Sequence, residues 1–209
     1  MDKEQFKIDP LVLEAAAALS GGEISYIEYQ RRIYKIQKNK FMPELLKYRA
    51  AGEWENFCKL ALTVFEVMPD AFLFYDQIPD NLKYKFAIDA YTHHGDSIPA
   101  VRKAVRGARK YGKANLPAEL QTQETVVIYR AGEESIQKSK YRISWTTSLE
   151  TALFFLNEYR SKHASHLYRA KIKTADIIAY TDDRNEKEVM QYNKVFDIED
   201  ITNERGAKI

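Results

Sequence analysis

A single cysteine, Cys58, stands in the chain, so no internal disulfide can be drawn and a reducing compartment suits the protein. Glycine and proline are sparse, 8 and 6 among 209 residues, which excludes collagen-like and low-complexity architectures. No run approaches the ~20 apolar residues of a membrane-spanning helix. The opening residues, Met1-Asp2-Lys3-Glu4-Gln5, lack the basic and apolar regions of a secretory signal, so a cytoplasmic protein without membrane association is expected. An excess of one charge is also missing. Thirty-two basic residues against 30 acidic leave a net +2, and such totals do not announce a nucleic-acid binder. There is no internal repeat, no Gly-x-Gly-x-x-Gly and no phosphate-loop motif. His93-His94 has no cysteine or carboxylate at ligand spacing, so no metal is expected there, and His163 and His166 read as loop residues.

What is present is an ordinary globular composition, 45% apolar and 30% charged, long enough for one large or two small domains. The first half reads as helical. Pro10 opens a helix over Leu11 to Leu19, and Ser20-Gly21-Gly22 stops it. Tyr26, Tyr29, Ile33 and Ile36 recur at three- and four-residue spacing and predict one buried stripe. Trp54, Phe57, Cys58, Ala61, Phe65 and Met68 repeat it in a helix that Pro69-Asp70 is expected to break, with Cys58 a core residue. Pro79-Asp80 offers an N-cap for Asn81 to Tyr91. Ile98, Val101, Val105 and Ala108 form the last apolar stripe of this half. Arg102, Arg106, Arg109 and Lys113 run beside it at spacings of four, three and four as one basic ridge.

Gly112 to Pro117 marks a change of period, so the boundary is set between 1–116 and 117–209. Beyond it the runs are short and rich in Val, Ile, Tyr and Thr. They predict strands over 125–130, 141–147, 166–173, 176–180, 188–192 and 194–198, and a helix over Leu149 to Tyr159 capped by Ser148. A helix-rich segment followed by a strand-rich one argues an α+β fold.

Within the second half, Tyr180 to Met190 reads as a polar loop feeding a strand with carboxylates at i and i+2. On such a strand Glu186 and Glu188 share one face, roughly 6.5 Å apart. Val126-Val127-Ile128-Tyr129-Arg130 closes an earlier strand on an arginine, and Ile143-Ser144-Trp145-Thr146-Thr147-Ser148-Leu149 is a hydroxyl-rich strand running into a helix. An arginine ending a first strand, Ser/Thr on a central strand and Glu-x-Glu on a late one, in that order, resembles the arginine, serine, glutamate class of the ADP-ribosyltransferase superfamily. The resemblance covers Thr125 to about Ile198.

This resemblance implies a split β-sandwich whose cleft holds NAD, with the helical first half packed on it and 117–209 as the catalytic region. It implies NAD as substrate, release of nicotinamide, and transfer of ADP-ribose to a macromolecule. Breaking the bond from nicotinamide to ribose passes through an oxocarbenium-like cation, which a fixed carboxylate stabilises. The resemblance gives that role to Glu188, and to Glu186 the orienting or deprotonation of an attacking arginine or water. It places Arg130 at the cofactor, where a guanidinium fork fits phosphate oxygens. Ser144, Thr146 and Thr147 are the candidate cofactor contacts of the central strand, with either Thr146-Thr147-Ser148 or the run from Ser144 matching the family's hydroxyl motif. Tyr180 or Trp145 is a candidate to stack on nicotinamide. The acceptor stays open between a protein arginine and a base of RNA or DNA, the latter approached along the Arg102 to Lys113 ridge. The class further implies a toxin or effector, of the kind found in phage-defence or toxin–antitoxin systems, and a neutralising protein partner. The other reading is a helical interaction module without enzymatic activity.

Overall fold

The computed structural model describes residues 9–159, 165–182 and 184–203. The chain divides into two compact units, 1–101 and 102–209. That division falls earlier than the change of sequence period at 112–117.

The first unit is helical. Helix α1 (Pro10–Ser20) is capped by the Asp9 carboxylate, which accepts the Leu11 amide at 2.9 Å. Helix α2 (Tyr26–Ala51) starts at the Ser25 cap, runs through Pro43 and ends at Gly52, whose φ of 70° places it in the left-handed region that glycine adopts without strain. Leu45 is the one residue of α2 that is fully buried, and Tyr26 is 64% exposed, so the predicted buried stripe is corrected: this long helix covers a core at one end and keeps its first turn in solvent.

Helix α3 (Trp54–Thr63) buries Phe57, Cys58 and Ala61, as its spacing predicts. It stops before Phe65, however, because Val64 turns extended. Phe65 is exposed, and Pro69 opens the short helix α4 (Met68–Ala71) instead of breaking a longer one. Helix α5 (Asp80–His94) begins without a side-chain cap bond, since the Asp80 carboxylate is taken by the buried Lys83 ammonium at 2.8 Å. Phe86 of α5 stacks on Phe72 at 4.8 Å, and Tyr75 stacks on Phe72 in turn, which gives this core its aromatic centre. His94 ends α5 with its pKa lowered by burial and by the neighbouring His93, a neutral ring rather than a cation at the helix terminus.

Helix α6 (Pro99–Gly107) spans the division and is followed by a 3₁₀ turn, Ala108–Lys110. Lys113 therefore lies past the helix, and the expected four-residue ridge breaks after Arg106.

In the second unit, β1 (Thr125–Gly132), β2 (Ser144–Thr146), β3 (His166–Lys173), β4 (Ala179–Thr181), β5 (Glu188–Met190) and β6 (Phe196–Asp200) form an open antiparallel sheet in the order β4-β5-β2-β1-β3-β6. The fold is α+β. Short helices α7 (Ala118–Gln121) and α8 (Ile136–Ser139) precede and follow β1, and α9 (Leu149–Phe154) follows β2, with its first turn capped by Ser148 Oγ on the Thr151 amide at 3.1 Å. Past Phe154 the helix loosens into a π segment to Tyr159.

Alternation sorts the sheet into two faces. Val126, Ile128, Trp145, Tyr168, Ala170, Ile172 and Val189 pack with Leu120 and Ile177 on one. Ala131 and Leu167 pack with Ala152 and Leu156 of the helical segment after β2 on the other, which Tyr129 shares. By the register Tyr129–Thr146–Glu188, the latter face also carries Thr146, Ser144 and Glu188.

Candidate active site

Glu188 opens β5 opposite Thr146 on one side and Thr181 on the other, in the interior of the sheet. It is 4% exposed, and its Oε2 has no hydrogen-bond partner among the described residues. Burial raises its pKa; the Ser144 hydroxyl, on the same face of the neighbouring strand, and the charges of Arg184 and Arg130 pull the other way, while Glu186 adds to the rise. An ionisable group that is buried with one oxygen unsatisfied is costly to the fold, which makes it a candidate for work on a ligand.

Glu186 is not on the strand. Lys187 and Asn185 take φ of 46° and 58°, so the chain turns between the two carboxylates and strict alternation is lost. The expected shared strand face is therefore corrected: Glu186 belongs to the loop joining β4 to β5. There its Oε2 accepts Arg184 Nη2 at 2.9 Å and the group is partly exposed. Three bonds anchor the base of this loop: Lys187 N to Asp182 Oδ1 at 2.9 Å, Thr147 N to Lys187 O at 3.1 Å, and Thr146 Oγ1 to Glu186 O at 2.7 Å.

Thr146 is buried and its hydroxyl is fully used, donating to Glu186 O and accepting the Ser148 amide at 3.0 Å. It builds the loop base. Thr147 contributes its amide to the same anchor and stands half-buried, with the parity opposite to Thr146. Of the candidate hydroxyls, Ser144 is the one that meets Glu188.

Arg130 sits on β1 with the parity of Ile128, opposite Tyr168, hence not on the strand face of Glu188. Its guanidinium reaches across instead: Nη1 donates to Ser144 O at 2.6 Å and Nε to Glu134 Oε1 at 3.1 Å, with the side chain 12% exposed. Arg142 Nε joins the same Glu134 oxygen at 3.0 Å. Although burial opposes it, the charge of Arg130, the residue's own backbone amide and the charge of Arg142 hold the Glu134 carboxyl below the usual range.

Tyr180 pairs with Val189 and packs on the Trp145 face, away from Glu188. Trp145 itself is 2% exposed, with Nε1 donating to Arg142 O at 3.1 Å. Trp145 is a core residue and Tyr180 is partly buried against the same core. On the former ridge, Arg106 lies 3.9 Å from the centre of the Tyr192 ring and Arg109 pairs with Asp176 at 3.6 Å, while Arg102 is half-buried. The structure thus ties two of these cations to their own unit. His163 lies outside the described residues; His166 is on β3, its Nδ1 2.7 Å from Asp200 Oδ2.

Sequence reasoning missed the bridging Glu134 and the buried Gln191. Gln191 donates to Lys140 O at 3.0 Å and to Arg142 O, and accepts Lys194 N at 3.0 Å, joining the approach to β2 to the exit of β5. Neither carries a local signal: Arg130 and Glu134 have helical i, i+4 spacing but meet at a strand end. No group of three metal-ligating side chains gathers among the described residues, and no described helix is long and apolar enough to cross a membrane. Compared with protein-family models, curated proteins and solved structures, the chain finds no match.

Proposed function

We propose that this chain is an NAD-dependent mono-ADP-ribosyltransferase, a toxin or effector whose sheet-bearing unit is the catalytic part of a split β-sandwich with an NAD cleft. The observation that carries this reading is Glu188, buried on a central strand with Oε2 unpartnered among the described residues and the Ser144 hydroxyl on its carboxylate.

NAD is the substrate in this reading. As the bond from the anomeric carbon to the nicotinamide nitrogen breaks, its electron pair leaves with nicotinamide and positive charge develops on the ribose. The Glu188 carboxylate opposes that charge, and its unsatisfied oxygen takes a ribose hydroxyl, a preorganised interaction that costs no rearrangement at the moment of reaction. Ser144 fixes the rotamer of the carboxylate. Arg130 supplies the positive charge for the phosphates.

A protein arginine suits the acceptor position. Glu186 already holds a guanidinium, that of Arg184, on a partly exposed loop beside Glu188, and an incoming arginine side chain would exchange for it. A neutralising protein partner would accompany such a toxin. The nucleic-acid alternative, an RNA or DNA base as acceptor, has only the surface of Arg102 to Lys113 in its favour. The non-enzymatic module is favoured by a different feature, the exposed Tyr26 and Ile27 at the head of α2.

One experiment separates them. The full chain, wild type or Glu188→Gln, is incubated with adenylate-labelled NAD and a cell lysate. Label on macromolecules with the wild type alone is expected, removed by protease rather than nuclease. Nuclease-sensitive label would make the acceptor a nucleic acid, and no label with either chain would leave the module.

A further inference from the structure

Between β1 and β2 the register is thin, a single pair at Tyr129 and Thr146, whereas β1 and β3 stay paired from Thr125–Lys173 to Gly132–His166. Side chains supply what the backbone ladder does not. Glu134 Oε1 accepts Nε of both Arg130 and Arg142, at 3.1 and 3.0 Å, and Arg130 Nη1 donates to Ser144 O at 2.6 Å. One carboxylate, 10% exposed, thus ties the end of β1 to the residues that enter β2. Room for it is made at Gly132, where a Cβ would stand 2.9 Å from Glu134 Oε2. That oxygen belongs to a flexible side chain, but two guanidinium groups hold Oε1 of the same carboxylate, so the group cannot swing aside without loosening the clamp.

We propose that Glu134 is a positioning residue that acts through Arg130 and the Ser144 backbone to seat the Ser144 hydroxyl on the Glu188 carboxylate. The inference rests on the reading of Glu188 as the catalytic carboxylate, yet the coupling itself is physical and holds whatever the substrate.

The sign of its effect separates positioning from plain electrostatics. Removing a negative charge, and freeing Arg130 of its partner, would lower the Glu188 pKa; unseating the Ser144 hydroxyl raises it, because that bond favours the charged form. Glu188 is followed by carbon-13 NMR of its carboxyl across pH in the full-length wild type, Glu134→Gln, Gly132→Ala, Ser144→Ala and the Glu134→Gln/Ser144→Ala double variant. The expected result is an upward midpoint shift in each single variant and no further upward shift in the double one, the non-additivity of groups acting in series. Gly132→Ala keeps every charge, so its shift comes from displacing the clamp and not from a lost charge. A midpoint that falls or stays fixed in folded Glu134→Gln and Gly132→Ala, or shifts that add in the double variant, overturns the proposal. So does loss of folding in both, since the clamp would then hold the sheet and not the hydroxyl. If the wild type cleaves no NAD while the midpoints move as expected, the functional reading fails and the positioning stands.

Discussion

The Ser144 hydroxyl and the Glu188 carboxylate meet on one face of adjacent strands, leaving Glu188 Oε2 buried and without a partner among the described residues. The pair carries a cost to the fold that the proposed chemistry would put to use.

Glu188→Gln should therefore have opposite effects on activity and stability. Transfer of ADP-ribose should fall by about 10²-fold or more, as for loss of one preorganised charge. Stability at neutral pH should rise, since an amide carries no charge to bury. The sign follows from linkage: a folded pKa raised above the unfolded value of ~4.3 means that stability is fully present below the unfolded pKa and is lost as pH rises through the folded one, at about 1.4 kcal/mol per unit. Thermal unfolding of the two chains should diverge above that window and converge at about pH 4. A variant less stable than wild type at pH 7 would show that Glu188 is better satisfied than its surroundings indicate.

Arg130→Lys keeps a charge but cannot bridge Glu134 and Ser144 O together. NAD affinity should weaken by roughly tenfold, and the chain should lose on the order of 1–3 kcal/mol as a buried pair is left incomplete. Calorimetric titration with NAD and urea unfolding measure the two effects. Unchanged affinity with reduced stability would confine Arg130 to the clamp.

Cys58 lies in the α3 core with its thiol pushed up to about 12 by burial. A thiol reagent at pH 8 should leave it unmodified in the native protein and modify one equivalent in urea. Rapid native reaction would mean that α3 opens.

Arg106→Gln removes the cation from the Tyr192 ring, and Arg109→Gln the pair with Asp176. Each contact is exposed, so the double variant should lose no more than about 1 kcal/mol. Cleavage of NAD by water should be unaffected. If RNA is the acceptor, labelling of RNA by the double variant should also show a shallower dependence on salt, because fewer counterions are released.

The strands were legible because alternation is a local signal: His166 to Lys173 coincides with β3, and Ser148 caps α9 as its position before an apolar helix predicts. Breaks that carry no glycine or proline were not legible. Nothing in Val64 announces the end of α3, and Pro43, which reads as a breaker, sits inside α2. At the candidate site, residue types in order single out Glu188 and Ser144, but the parity of Arg130 and the packing of Trp145 and Tyr180 on the opposite face depend on which strands pair. That is decided by contacts distant in sequence. The left-handed turn at Lys187 is a similar case, since lysine has no preference that would mark it.

That turn makes the two carboxylates mechanically separate. Glu188 is held by ladders on both sides, while Glu186 lies in the hairpin loop, its carbonyl anchored by Thr146 Oγ1 at the base and its carboxylate paired with Arg184 toward the tip. Residues inserted or exchanged between Asp182 and Glu186 would re-aim the tip and leave β5 in place. Under the proposed function, a few altered loop residues would change the acceptor without rebuilding the strand that carries Glu188.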